Sequence, residues 1–535
     1  MFFIVLLCAA ILIPSCLPFA IPRQAVSNNK RSSASTCLNA ASSRNCWDDT
    51  EEAWPDTGVV VAYTLTITNQ TMSPDGTPRW MLVVNGTYPS PTITASEFFL
   101  MWLSFSSAMS AYLFIDWVDT LEITVVSQII TDGVSMHWHG IVQKNTNTMD
   151  GNVQFHRVRL NSTSFSQPSM VRLGITHIMQ PNMVMEFLKV FRGPSKADNG
   201  LINGTNRNPQ KTAGVYNQVS GLVPGAKYRL RIINTSLDNN FPVTLDSHNF
   251  QLIQSDFVPI QPYTTKTIFI AIGQRYDVII TADQVPSNYW FRAIVPKPPT
   301  QKGFGCGQNA NNGSINPTSK SFLIPQSCED ETQLVAWHEK AVSKDEFMWP
   351  TAQELIVTGP ESNSVPKAPA PYIWSINDTY MEIEWDKPTR QYVIQGNKSY
   401  NVHQNIIELP DANVWTFWII KNAAAIPHPI HLHGHDFYIL GQENSVNFTN
   451  KSSLNFANPA RRDVAMLPAL GYLLLHCHIA FHVGEGLALQ FLERESEIAQ
   501  RVDLSTVDAG CKMWDAWYNT ERVDNAWNTE FDSGI

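Results

Sequence analysis

His476-Cys477-His478-Ile479-Ala480-Phe481-His482, with Leu487 five residues further on, is the stretch from which the reading of this chain starts. On a β-strand, neighbouring side chains point to opposite faces, so Cys477 is directed one way and His476 and His478 the other. With all three as ligands, a thiolate-bound metal on one face is joined through the backbone to metal on the other, a short path for electrons. A His₂Cys set with a weak or absent axial ligand is the mark of a blue-copper electron-transfer site. Three incidental residues on a core strand are the plainer alternative, and the rest of the chain speaks against it.

Working outward, His428-Pro-Ile-His431-Leu-His433-Gly-His435 lies upstream, and His137-Trp-His139-Gly140 far upstream of that. Together the three stretches hold nine of the fourteen histidines. Neutral imidazole binds copper, zinc, iron or nickel, so histidine alone leaves the metal open. Cys477 among so many imidazoles selects copper.

In these three motifs the chain resembles the multicopper oxidases, and within them the ascomycete fungal laccases. The resemblance implies that His428, Cys477 and His482 bind a type 1 copper, with Leu487 at its axial position. A non-coordinating leucine there favours the reduced metal and raises its potential relative to methionine. His137 and His431 match type 2 ligands. His139, His433, His476 and His478 match ligands of the paired type 3 coppers. His435 belongs to the motif without being a ligand in the family, and a structural role is expected for it.

One family motif is missing. A second His-x-His, His-Ser-His in the family, supplies one ligand to each type 3 copper, and none occurs between Gly140 and Ile426. The local histidines, His156 and His177, stand singly; a surface or core role is the default for each, a substitute ligand the alternative. Residues 96–115 include an uncharged run, Phe98 to Ile115, that interrupts a family-like stretch and reads as translated intron. It is long enough to span a bilayer but lacks flanking basic residues. Residues 153–199 read as scrambled, and a strand expected between Leu470 and Gly471 is absent. A faulty gene model, or a decayed gene, built on a laccase explains all three.

The cysteines agree. Of eight, Cys8 and Cys16 fall in an N-terminal apolar segment and Cys477 goes to copper. Cys37 with Cys46 and Cys306 with Cys328 match family disulfides and suit an oxidising compartment. Cys511 is left over, because its family partner falls within the scrambled stretch.

Met1 to Ala20 reads as a secretory signal and 21–36 as a pro-segment, with Lys30-Arg31 either a processing site or a solvated pair. Ten Asn-x-Ser/Thr sequons (Asn69, Asn85, Asn161, Asn203, Asn234, Asn312, Asn377, Asn397, Asn447 and Asn450) fit a secreted glycoprotein. At 535 residues the chain calls for about three domains. Thirty-three prolines and twenty-seven glycines punctuate short runs such as Leu121–Val126, Lys227–Ile233 and Tyr276–Ile280, which points to β-sandwiches. The resemblance makes these an all-β set of three consecutive cupredoxin-like Greek-key sandwiches: 37–196, the first and incomplete one, then 199–326 and 328–535. A net charge of −10 argues against nucleic-acid and anionic-membrane partners.

The expected function is a secreted, extracellular, monomeric laccase-like oxidase with four coppers. It takes single electrons from phenols and aromatic amines and passes four to dioxygen, and the incomplete cluster predicts that this chain is inactive or misfolded while its correctly spliced parent is a laccase. A ferroxidase, a pigment-forming oxidase and a non-enzymatic copper-binding protein are the alternatives. His482, then His428, is expected to meet the substrate. Ala213 or Val215 stands where the family's phenol pocket has an acid, and Asp532-Ser-Gly-Ile535 resembles the family's channel-plugging tail.

Overall fold

The computed structural model describes residues 60–91, 120–129, 135–141, 199–294, 329–347, 353–359, 373–382, 387–443 and 454–501, apart from isolated positions within them. Short pieces at 163–166, 177–179 and 511–516 and single residues such as Asp150 are also described. The expectations for 1–36, the 96–115 insert, most of 153–199, Cys37–Cys46, Cys306–Cys328, His478 and the Asp532–Ile535 tail lie outside the described residues.

Val60–Met72 (β1), Arg79–Val84 (β2), Thr120–Ser127 (β3), Ser135–His137 (β4), Thr163–Ser166 (β5) and His177–Met179 (β6) make up the first region. Four of them form a sheet in the order β2-β1-β3-β5, with β1 parallel to β3, and β4 pairs with β6. β1 has the period of a half-buried strand: Val61, Tyr63, Leu65 and Ile67 are buried while Val60 and Thr64 are exposed. These side chains join Ile123, Val125, Met136 and Trp138 in one core.

The middle region contains Lys227–Ile233 (β7), Phe241–Leu245 (β8), Phe250–Ser255 (β9), Val258–Thr265 (β10), Ile268–Ile270 (β11), Arg275–Thr281 (β12) and Phe291–Ala293 (β13). Two sheets, β10-β9-β12-β7 and β11-β8-β13, enclose a core of Leu230, Val243, Phe250, Leu252, Ile268 and Val278. Each such fully buried side chain stabilises by about 2 kcal/mol. Apolar residues alternate along β7 and β12 as the sequence pattern requires.

The last region holds Gln353–Thr358 (β14), Ser375–Ile376 (β15), Ile406–Leu409 (β16), Trp418–Asn422 (β17), His428–His431 (β18), Phe437–Ile439 (β19), Ala460–Arg462 (β20), Val464–Leu467 (β21), Tyr472–Leu473 (β22), His476–Cys477 (β23) and Gln490–Glu493 (β24). The sheet β15-β14-β17-β22 and the small sheet β21-β18-β23 share a core built around Trp374, Ile420, Ile430 and Leu487. Ile272 of the middle region is part of that core, and Phe257 packs on the core of the first. The three regions therefore touch through side chains.

Tyr472–Leu473 (β22) pairs with β17 for two residues, and the chain reaches β23 in a different sheet after two intervening residues. One expectation changes. Asn234 is no glycan acceptor: it is fully buried, and its Nδ2 donates to the carbonyls of Asn239 (2.9 Å) and Ile270 (3.1 Å). A sequon pattern cannot register burial. Asn69 and Asn397 are exposed, as acceptors must be. Among the described residues no helix is long and apolar enough to cross a membrane.

Candidate metal centre

Among the described residues, two groups of histidines form. In the first, β4 and the turn after it bring His137 and His139 against His431 of β18 and His433 just beyond it. The His137 and His433 rings stack at 3.7 Å between centroids, and those of His139 and His431 at 4.0 Å. His137, His139 and His431 are buried, whereas His433 is 41% exposed. Ligand atoms of His137, His431 and His433 lie within 4.8 Å of one another, as do those of His139, His431 and Asp463.

Two acidic residues hold these rings. Asp150 Oδ1 accepts from His137 Nδ1 (2.9 Å) and from the Trp138 amide (2.9 Å), and its Oδ2 accepts from His433 Nδ1 (3.1 Å). Burial alone would raise the Asp150 carboxyl, but His137 and His433 hold it well below the usual range. Burial lowers His137 against the opposing pull of Asp150, which keeps its imidazole neutral. His431 Nδ1 donates to the backbone oxygen of Asp463 (2.8 Å).

The second group lies within the last region. His428 is fully buried in β18, and its Nδ1 sits 3.0 Å from Nδ1 of part-exposed His482. Burial depresses His428 to about 3 and His482 well below its ordinary range, so both are neutral. Trp374 meets the His428 ring edge-on and lies over His482 at 4.2 Å. Leu487 is fully buried beside them, and its amide donates to the His482 carbonyl (2.9 Å).

β23 runs along β18 with Ile430 opposite Cys477 and His431 opposite His476. The period of two then puts positions 428 and 477 on one face of this small sheet and positions 431 and 476 on the other. One strand pair thus borders both histidine groups. His478 lies outside the described residues. His177 stands opposite His137 in the β4–β6 ladder. His435 is exposed, with its Nδ1 against the His433 carbonyl at 3.1 Å. Val215 is 66% exposed.

The sequence motifs did not announce Asp150, Asp463 or Trp374. Asp150 follows His137 by thirteen positions, and Asp463 belongs to a burst of charge, Arg461-Arg462-Asp463, that opens the fully apolar strand β21. Charge entering a buried strand was the available signal for Asp463. Trp374 had none.

Three family models described as multicopper oxidase match residues 101–168, 177–314 and 374–497. Laccase-1 of Melanocarpus albomyces is 31% identical over 96% of this chain and 92% of its own length. Laccase-3 of Botryotinia fuckeliana is 36% identical over 71% of this chain and 99% of its own length. The crystal structure of the laccase from Botrytis aclada, 30% identical, superposes with a TM-score of 0.72 over 94% of this chain and 100% of that one. The chain belongs to the multicopper oxidases. Within that family it is a laccase-like oxidoreductase of three cupredoxin-like domains with copper as its cofactor.

The donor atoms fit copper. His137 and His431 each give Nδ1–H to an oxygen that can only accept, which puts the lone pair of each neutral ring on Nε2. Those two nitrogens face each other at 3.1 Å. Neutral imidazoles in that pose repel unless a cation lies against both. Fixing Nδ1 by a carboxylate or carbonyl is how metal-binding imidazoles are oriented.

Proposed function

We propose that His428, Cys477 and His482 would hold a type 1 copper, with the Leu487 side chain as its non-coordinating neighbour, and that His137 and His431 would hold a type 2 copper. His139, His433, His476 and His478 serve a type 3 pair that lacks the two imidazoles of the absent motif. Copper supplies one-electron redox chemistry and, at the cluster, four-electron reduction of dioxygen to water. The chain's own residues do the rest. His428 is sealed from water, while part-exposed His482 offers the edge at which a phenol or aromatic amine gives up an electron. Leu487 and Trp374 pack on the buried side of that pair and keep water from His428. Asp150 keeps Nδ1 of His137 and His433 protonated, so that the lone pair of each ring is on Nε2.

The facing Nε2 atoms of His137 and His431 carry this reading. The protein is proposed to be a secreted monomer acting on small phenols, with neither nucleic acid nor membrane as partner. Oxygen uptake with a simple phenol tests it. The copper-loaded chain is expected to show the intense visible absorption of a type 1 centre with little uptake. A protein encoded by transcripts sequenced across 96–115, 153–199 and 470–471 is expected to carry the fourth motif and full activity. Laccase-like rates from the 535-residue chain itself would overturn the incomplete cluster. Lack of any visible band would overturn the copper reading.

A further inference from the structure

The middle sandwich contributes none of the candidate ligands, yet one two-residue turn of it reaches both histidine-bearing neighbours. Asp256 and Phe257 close the β9–β10 hairpin, where Ser255 pairs with Val258. Both have left-handed backbone, φ +44° and +68°. Hairpins of this kind favour Asn-Gly or Asp-Gly. A bulky side chain at such a φ is a true outlier and costs about 1–3 kcal/mol. Strain of that size persists where the surroundings hold it.

The surroundings are the two other sandwiches. Asp256 Oδ2 accepts from Arg462 Nε (2.8 Å) of the last region, and its Oδ1 accepts from the Arg275 amide (2.7 Å). Phe257 packs on the first region's core, and the Arg275 guanidinium lies over its ring at 4.3 Å. Arg275 then grips Asp463 at two points, Nη1 to Oδ1 and Nη2 to Oδ2, both 2.5 Å. The same residue 463 holds His431 through its backbone oxygen.

The third contact is at Gly140, the residue after His139. A Cβ placed there would lie 2.5 Å from Arg275 Nη2, 2.6 Å from Phe257 Cε2 and 3.0 Å from Asp463 Oδ2. Only glycine lets the guanidinium, ring and carboxylate close on that backbone, whose φ is +78°. All three regions therefore meet directly behind the His137–His431 pair.

We infer that Arg275 and the Asp256-Phe257 turn form a clamp by which the middle sandwich sets the spacing of His137 and His139 from His431. They are positioning residues, and the inference rests on the proposed copper ligands. The two-point grip of guanidinium on carboxylate fixes direction as well as distance, which a lysine cannot reproduce.

The test uses the copper-loaded full chain and its Arg275→Lys, Phe257→Asn and Arg292→Lys variants. Arg292 grips Asp246 at two points (2.8 and 2.7 Å) within the middle sandwich, so Arg292→Lys is the control for loss of a similar pair. Asparagine suits left-handed backbone better than phenylalanine, so Phe257→Asn separates the ring's contact from the turn's stability. Copper count, the type 2 paramagnetic-resonance signal and the type 1 visible band are read together. Arg275→Lys and Phe257→Asn are expected to keep the visible band and to weaken type 2 copper binding about 10–100-fold, with altered hyperfine splitting. Arg292→Lys is expected to leave both signals as they are. A folded Arg275→Lys protein with an unchanged type 2 signal overturns the clamp. So does one in which both copper signals vanish together, since that marks general loosening. If the parent lacks the type 2 signal altogether, the ligand reading falls, and the clamp with it.

Discussion

The pocket around His428 and His482 is built inside one sandwich, from residues between Trp374 and Leu487, whereas the cluster around His137 and His431 joins residues 294 positions apart across two sandwiches. The first relies on burial: desolvation alone accounts for the depressed His428. The second relies on fixed charge: Asp150 orients two rings, and Asp463 connects His431 to Arg275 of a third sandwich. A site within one core needs apolar packing to keep its imidazoles neutral. A site at a seam needs ionic contacts to hold its halves in register, and it inherits the tolerance of those contacts.

That contrast can be broken from either side. The largest effect is expected from His431→Gln. It should weaken type 2 copper binding by at least about 100-fold while the type 1 visible band persists, as copper titration of the two signals would show. Asp150→Asn comes next. A neutral amide has a single acceptor oxygen for two imidazole donors, so copper affinity at the seam should fall about 10–100-fold with the His428 pocket untouched.

Acid should act on the enclosed pocket. The folded value of His428 lies below its unfolded value of 6.5, so its contribution to stability is full above that pH and is lost as pH falls toward about 3. Relative to a His428→Gln variant, the metal-free parent should lose about 2 kcal/mol more between about pH 7.5 and about pH 5, read from denaturant midpoints. Equal losses in the two proteins would mean that the imidazole is already charged in the fold. The smallest effect is expected from Leu487→Met, a near-isosteric change costing less than about 1.5 kcal/mol. It should keep the visible band and lower the reduction potential, as voltammetry would show, because a thioether can approach the metal where leucine cannot.

The sequence was most legible where chemistry is local. His428, His431, Cys477 and Leu487 stand in short motifs, and one strand register, Ile430 against Cys477, brings the first three onto neighbouring strands. Strands such as β3, β7 and β12 followed from alternation, since a face against a core enforces the period of two. What no window of sequence contained was the seam. Asp150, Asp256, Arg275 and Asp463 acquire meaning only when three sandwiches meet, and Gly140 reads as a motif residue until the guanidinium behind it is seen. Asn234 failed as a sequon for the same reason, because three letters carry no depth.

The most direct measurement is paramagnetic resonance of copper-loaded parent and Cys477→Ser. Two distinct copper signals are expected in the parent, and in the variant the narrowly split one should disappear while the other stays. A spectrum left intact by the substitution, or a parent with one kind of copper only, would contradict the division of these histidines into two centres served by a single strand.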